Sequence, residues 1–313
     1  MIVVTGGAGF IGSNIVKGLN DRGVDNILIV DNLKNAAKHL NLNARQFEDY
    51  ISKEDLPEQL PKLGKIEAFI HQGACATTTE TDGHYMMRNN YEYSKTVLDY
   101  CQSHKVPLIY ASSAAVYGNG EKGFDDASDD YFPLNVYAYS KLLFDRLVRR
   151  MLEAKKNASP VTGLRYFNVY GCQENHKGDM ASVPFKFYQQ VQSGKIISLF
   201  EGSERFFRDF VFVEDIVHLV LHFLDKAVSG IYNAGTGLCR SFQDIAAIFK
   251  SRFPDLTIRE IPFPSHLNGK YQAYTQADLT RLKHAGYDQP FHSLETGISS
   301  YLHQLEATNG YWS

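Results

Sequence analysis

The sequence predicts an α/β protein built on a doubly wound parallel sheet, with a smaller α/β region assembled from late segments. Three observations predict it. Short apolar runs alternate with helical patterns through the first half, which is the pattern of repeated β-α-β units. The first run flows straight into a glycine-rich turn and a helix. After residue 168 the alternation changes character.

Taken in order, residues 2–4, 27–30, 66–70, 106–111 and 161–166 read as strands. A weaker strand is expected at 42–47. Helices are expected at 11–21, 53–63, 82–103 and 137–154. Residues 171–206 carry glycine, lysine, histidine and phenylalanine with little strand alternation. Residues 210–213, 216–226 and 230–233 then read as strand, helix and strand, and 242–251 as a helix before a proline-rich stretch. The expected division is one domain over 1–170 plus about 207–236, and a second, smaller one over about 171–206 plus 237–313. There is no internal repeat.

A hydrophobic content of 44% and a charged content of 21% are those of a globular chain with a full core. The formal net charge of −3 gives no footprint for nucleic acid or for an anionic membrane surface. No apolar run reaches membrane-spanning length, and no secretory leader is expected. Cys75, Cys101, Cys172 and Cys239 form no C-x-x-C pair and lack zinc-like spacing, so reduced thiols, no metal and a cytoplasmic setting are expected.

The glycine turn reads Thr5-Gly6-Gly7-Ala8-Gly9-Phe10-Ile11-Gly12. A strand-to-helix turn lacking Cβ atoms at Gly6 and Gly9 lets backbone approach a pyrophosphate. The helix then turns its free N–H groups and positive end toward that anion. Gly12 allows the helix to lie close to the sheet. A lone glycine turn is weak, because caps and hairpins use glycine too. Here a second strand runs into Asp31 at the distance a dinucleotide fingerprint requires. Asp31 can accept from ribose hydroxyls, which points to NAD. Asn32, Lys34, Lys38 and Lys53 lie close enough in sequence to compensate a 2′-phosphate, although each lysine taken singly reads as a solvated side chain. On these grounds the choice between NAD and NADP stays open.

The strand at 106–111 leads into Ser112-Ser113, and Tyr137 and Lys141 stand four residues apart on a later helix. That spacing puts the phenol and the ammonium on one face. A cation beside a phenol favours the phenolate, so a lowered Tyr137 pKa is expected. With Ser113 holding an alcohol oxygen, the set can move a proton while hydride moves to nicotinamide. With 19 tyrosines in the chain the bare Tyr-x-x-x-Lys spacing arises by chance roughly once. Tyr91 and Lys95 share it. They precede the Ser113 strand, and Tyr91 reads as a packing residue. Tyr137 follows that strand and opens a helix, near the carboxyl ends of strands where open α/β sheets bind ligands.

These residues, with the His71-to-Cys75 turn, Asn89, the run from Arg165 to Gly171 and the run from Arg208 to Val211, resemble the extended short-chain dehydrogenase/reductase (NAD-dependent epimerase/dehydratase) family over nearly the whole chain. The resemblance implies a Rossmann sheet. Within the family, residues 175–178, 200–204 and 269–279, with 77–80 and 85–87, are similar to the ADP-heptose 6-epimerase branch. That likeness implies epimerisation of ADP-D-glycero-β-D-manno-heptose at C6, by oxidation to a ketone and reduction from the other face, in lipopolysaccharide core precursor synthesis. It also implies NADP rather than NAD, and a homo-oligomer, a pentamer.

The same likeness implies two opposed bases, Tyr137 and Lys177, with Lys141 and Ser113 assisting; without it Lys177 reads as a solvated loop lysine. Implied cofactor contacts are Phe10, Ile11, Asp31, Asn32, Lys38, Lys53, Gln72, Gly73, Ala74, Cys75, Ala76, Asn89, Lys141, Val169 and Lys177, beside Gly6, Gly9 and Gly12. Implied substrate contacts are Ser113, Asn168, Asp179, Lys186, Phe200, Glu201, Gly202, Ser203, Arg208 and Tyr271. Arg208 could grip a diphosphate through paired N–H groups. Phe200 and Tyr271 read equally as packing residues. Asp179 and Lys186 depart from the branch, which carries serine and histidine there, and so bear on substrate preference. The rivals are a hexose 4-epimerase and an NADP-binding protein without turnover. A 4,6-dehydratase is disfavoured because Ala114 and Ala115 replace an Asp-Glu pair.

Overall fold

A computed structural model describes residues 1–263 and 272–312. The elements are β1 (Ile2–Thr5), α1 (Phe10–Asn20), β2 (Ile27–Asp31), β3 (Asp49–Ser52), α2 (Leu56–Gln59), β4 (Ala68–His71), α3 (Gly83–Met86), α4 (Tyr93–His104), β5 (Leu108–Ser113), α5 (Val136–Glu153), β6 (Val161–Tyr166) and β7 (Asn168–Tyr170). They continue with α6 (Val183–Gly194), β8 (Ile196–Phe200), β9 (Phe207–Phe212), α7 (Val213–Lys226), β10 (Gly230–Ala234), β11 (Cys239–Ser241), α8 (Phe242–Arg252), β12 (Thr257–Ile261), α9 (Thr280–His284) and α10 (Leu294–Thr308).

Seven strands form one parallel sheet in the order β10-β6-β5-β4-β1-β2-β3. Successive side chains on a strand face opposite sides, and both faces here are apolar, as a covered parallel sheet requires. Val4, Ile29, Ile70, Ile109 and Leu164 meet Ile15 and Leu19 of α1 and Ile216, Leu219 and Val220 of α7. Val3, Leu28, Phe69, Leu108 and Tyr110 meet Val97 and Leu98 of α4 and Phe144 and Val148 of α5. The chain winds outward in both directions from β1. The carboxyl ends of β1 and β4 therefore open a crevice where their connections diverge, the switch point at which such sheets bind ligands.

A three-stranded sheet, β11-β9-β7, and a parallel pair, β12-β8, stand beyond that crevice. Phe185 and Phe187 of α6, Ile197, Phe212, Phe249 of α8 and Tyr301 of α10 build a further core there.

Four expectations need correction. Residues 42–47 form no strand; Leu42 and Phe47 pack on the core from a connection, and Asp49–Ser52 pairs with β2 instead. Apolar anchors spaced along a loop imitate strand alternation when the run is short. The helix expected at 53–63 breaks into α2 and a 3-10 turn, with Pro57 and Pro61 near their starts. The helix expected at 82–103 is interrupted by a π turn over Met87–Glu92. Residues 171–206 hold α6 and β8, which weak alternation had hidden.

Candidate active site

β1 ends at Thr5, and Gly6 takes a left-handed conformation with φ +69. A Cβ on Gly6 would stand 2.7 Å from the Gly73 nitrogen, and one on Gly12 2.1 Å from the Gly6 carbonyl oxygen. The turn is therefore wound against β4's exit and under α1 as only glycine permits. No side chain caps α1 and no acidic residue lies in its first turn. Its N–H groups and positive end face a cleft of about 620 Å³. The Gln72 side chain accepts from the Tyr166 hydroxyl at 2.9 Å, while its buried Nε2 finds no acceptor among the described residues. A cradle of backbone donors and an orphaned amide at the switch point fit a dinucleotide.

All the cofactor candidates line this one cleft: Gly6, Gly9, Phe10, Ile11, Gly12, Asp31, Asn32, Lys38, Lys53, Gln72, Gly73, Ala74, Cys75, Ala76, Asn89, Lys141, Val169 and Lys177. Asp31 accepts from the Ala8 N–H at 2.9 Å and from Lys38 Nζ at 2.9 Å. The π turn brings Asn89 to the cleft and leaves Asn90 buried behind it. Asn89 Oδ1 accepts from Lys53 Nζ, and Asn90 clamps Cys75 by accepting from its N–H at 2.8 Å and donating to its carbonyl at 3.0 Å. A π turn in an α-helix is a frequent mark of a functional site.

Ser113 ends β5, and Asn135 caps α5 by accepting from the Ala138 N–H at 2.9 Å. That cap opens the helix so that Tyr137 and Lys141 both face the cleft. Tyr137 and Ser113 share a hydrogen bond, which favours the phenolate. Burial outweighs it and leaves the phenol pKa raised, not lowered as the spacing to Lys141 suggested. One of the three Lys141 donors is already in use: its Nζ donates to the Ala111 carbonyl at 2.7 Å. Burial pushes the Lys141 amine down to about 8, against the pull of Asp145. Lys177 reaches the same cleft from the loop that follows β7, with Nζ 4.8 Å from the centre of the Phe10 ring. Burial lowers its pKa as well, Glu174 opposing and Lys186 assisting.

Tyr91 and Lys95 take no part in the cleft. Tyr91 packs beside the core under α4 and Lys95 lies over its ring, 5.5 Å from the centre.

Of the substrate candidates, Ser113 and Asn168 line the cleft. Asp179, Lys186, Phe200, Glu201, Gly202, Ser203 and Arg208 lie outside its walls, and Tyr271 lies outside the described residues. Lys186 Nζ donates to the Asp179 carbonyl at 2.7 Å, so the two positions that depart from the branch touch each other. Phe200 packs edge-on against Phe263 with ring centres 5.6 Å apart. Gly202 turns the chain with φ +79, Glu201 stays exposed, Ser203 is buried, and Arg208 is buried on β9 with Nη1 donating to the Phe207 carbonyl at 3.1 Å. The sequence reading missed Thr77, Tyr85, Tyr166 and His176 as cleft residues. Tyr166 falls in a predicted strand, and its facing direction alone carried a signal; Tyr85 lies in α3, and Thr77 and His176 sit between the named strands and α-helices, with no spacing to mark any of the three.

The sequence model of the NAD dependent epimerase/dehydratase family matches residues 2–235. The chain belongs to that family. The matched span runs from the glycine turn through Tyr137, Lys141 and Lys177 to the end of β10. One relative in the family, ADP-L-glycero-D-manno-heptose-6-epimerase of Brachyspira hyodysenteriae, is 54% identical over 316 residues, covering 99% of this chain and 99% of that protein. The crystal structure of ADP-L-glycero-D-manno-heptose-6-epimerase from Helicobacter pylori is 30% identical with a TM-score of 0.85, covering 98% of this chain and 96% of that one. UDP-glucose 4-epimerase of Thermotoga maritima, solved with UDP-glucose, is 26% identical with a TM-score of 0.85, over 98% and 99% of the two chains. The NAD(P)-binding fold is thus that of the family's epimerases. Among the described residues no helix is long and apolar enough to cross a membrane.

Proposed function

We propose that this enzyme inverts C6 of ADP-D-glycero-β-D-manno-heptose to the L-glycero epimer, in the supply of lipopolysaccharide core heptose. The observation that carries the reading is the pair of proton-handling groups, Tyr137 and Lys177, that line one and the same cleft from separate segments of the chain. The 54% identity to a protein of that activity along the full chain supports the same substrate over a hexose.

The bound nicotinamide supplies the group that takes a hydride from C6 and returns it. The chain's own residues move the protons. One of Tyr137 and Lys177 removes the C6 hydroxyl proton as the carbon is oxidised to a ketone. The sugar then presents its other face, and the second group protonates the oxygen as C6 is reduced. Ser113 holds that oxygen beside Tyr137. Each turnover leaves the two groups with their protons exchanged, and the partly exposed Lys177 can reset through water. Lys141 would hold the nicotinamide ribose.

NADP is the proposed cofactor, supported by Lys38 beside Asp31 and by Lys53 in the same wall. Asn168 and the segment carrying Phe200, Glu201, Gly202, Ser203 and Arg208 are proposed to hold the nucleotide sugar, with Asp179, Lys186 and Tyr271. The proposed division of labour gives residues 1–170 and about 207–236 to the dinucleotide and the remaining late segments to the sugar nucleotide. A cytoplasmic homo-oligomer, a pentamer, follows the likeness to the branch. Assay with UDP-galactose tests the substrate class: negligible interconversion is expected, and brisk formation of UDP-glucose would overturn the heptose assignment.

A further inference from the structure

Lys177 sits on a short loop between β7 and α6, and that loop is closed by one buried carboxylate. Glu174 Oε2 accepts from the Ser182 N–H at 2.6 Å. Its Oε1 accepts from the Ser182 hydroxyl at 2.6 Å, from the Tyr301 hydroxyl at 3.0 Å and from the Gly171 N–H at 3.4 Å. Four donors converging on two oxygens are the set a carboxylate anion satisfies. Glu174 is fully buried, so nothing from solvent shares this work. The clasp joins both ends of the Lys177 loop to α10. The Lys177 N–H also donates to the Glu174 carbonyl at 3.0 Å, and Asn35 Nδ2 donates to the His176 carbonyl at 3.0 Å.

The clasp is also the anionic counterweight to a cationic neighbourhood. Lys177 faces the Phe10 ring of α1, Lys186 of α6 and the adjacent His176, with Lys38 and Asp31 beyond His176. Asp179 is exposed on the same loop, and Tyr301 approaches Glu174 from α10. Among these, Glu174 is the group whose charge holds the Lys177 amine up while burial and Lys186 press it down.

We propose that Glu174 is a positioning residue for the second base: its carboxylate fixes the loop that carries Lys177 and sets the field in which that lysine exchanges its proton. The inference rests on the reading of Lys177 as a base. Glu174 does not touch substrate.

The test uses NADP-loaded enzyme labelled with 13C-lysine. The Cε resonance missing from Lys177→Met identifies Lys177, and its titration is followed in wild type and in Glu174→Gln. Removal of the negative charge should move the Lys177 midpoint down by about half a pH unit or more, and lower kcat at least about tenfold, with NADP retained. An unchanged midpoint overturns the inference, whatever happens to kcat. If Glu174→Gln does not hold NADP, Tyr301→Phe and Ser182→Ala each remove one donor and keep the charge. A loss of roughly threefold or more in kcat with KM unchanged is then expected, and wild-type kcat in both overturns the proposal. Full activity in Lys177→Met removes the base itself, and with it both readings. A dead Lys177→Met beside an unaffected Glu174→Gln removes only the role given to Glu174.

Discussion

Lys38 Nζ lies 2.9 Å from Asp31 Oδ1 at the exit of β2, and the pair is largely shielded, with side-chain exposures of 19% and 5%. Asp31 alone would repel a 2′-phosphate. Lys38 neutralises it and brings a donor to the same wall. Lys38→Ala should therefore weaken NADP about tenfold, a cost of about 1.4 kcal/mol, and change NAD affinity little. Equilibrium dialysis with each cofactor measures the ratio. Equal loss for both would assign Lys38 to the loop rather than to the phosphate.

Tyr137→Phe removes one hydroxyl and keeps the ring. Turnover should fall by about 10²–10⁴-fold, the range for a lost acid–base group. Cofactor content and melting temperature should stay near wild type. Full activity in this variant would remove Tyr137 from the chemistry.

Arg165 and Asp145 form an ion pair with neither side chain exposed, Nε to Oδ2 at 2.8 Å. Asp145 also accepts from the hydroxyls of Tyr110 and of Ser112, the residue before Ser113 on β5, each at 2.9 Å. Arg165→Met leaves a buried carboxylate without its cation, which costs about 3–5 kcal/mol. Arg22 and Asp225 make a pair at a similar distance but with exposures of 43% and 60%. Arg22→Ala should cost under about 1 kcal/mol. Denaturant titration of both variants checks the contrast, and similar losses would contradict it.

Acid should destabilise the fold through two shielded histidines. His71 bridges Thr5 Oγ1 at 2.6 Å and Ser94 Oγ at 2.9 Å, and burial, then Lys141, depress its pKa to about 3. Burial, then Lys38 and Lys177, depress that of His176 to about 4. Below about pH 6.5 the unfolded chain protonates both while the folded chain does not. Stability therefore falls as pH drops through that window, by up to about 1.4 kcal/mol per pH unit for each group, until the folded-state values are reached. His71→Asn should flatten the slope between pH 6.5 and 4.5 relative to wild type. An unchanged slope would contradict the account.

The glycine turn, Asp31, and the Ser113, Tyr137 and Lys141 set were legible in the sequence because each is a local pattern at a strand's carboxyl end. Tyr91 could be set aside for the same reason: it has the spacing but the wrong place in the β-α-β order. Glu174 was not legible. Its partners Gly171, Ser182 and Tyr301 are brought together only by the packing of α6 and α10, and no spacing marks a carboxylate that acts through a loop. The raised Tyr137 pKa was missed for a related reason. Four residues on a helix place Lys141 on the same face, but burial of the phenol sets the direction of the shift, and helix spacing carries no signal of that burial. Residues 42–47 failed because two apolar loop anchors look like a half-buried strand.

The central claim is the C6 inversion of an ADP-heptose through an internal redox cycle. The direct test follows ADP-D-glycero-β-D-manno-heptose by NMR with the purified enzyme, with and without added NADP. The account predicts conversion to the L-glycero epimer with no net accumulation of NADPH. A folded, NADP-loaded enzyme that leaves this substrate unchanged would contradict it.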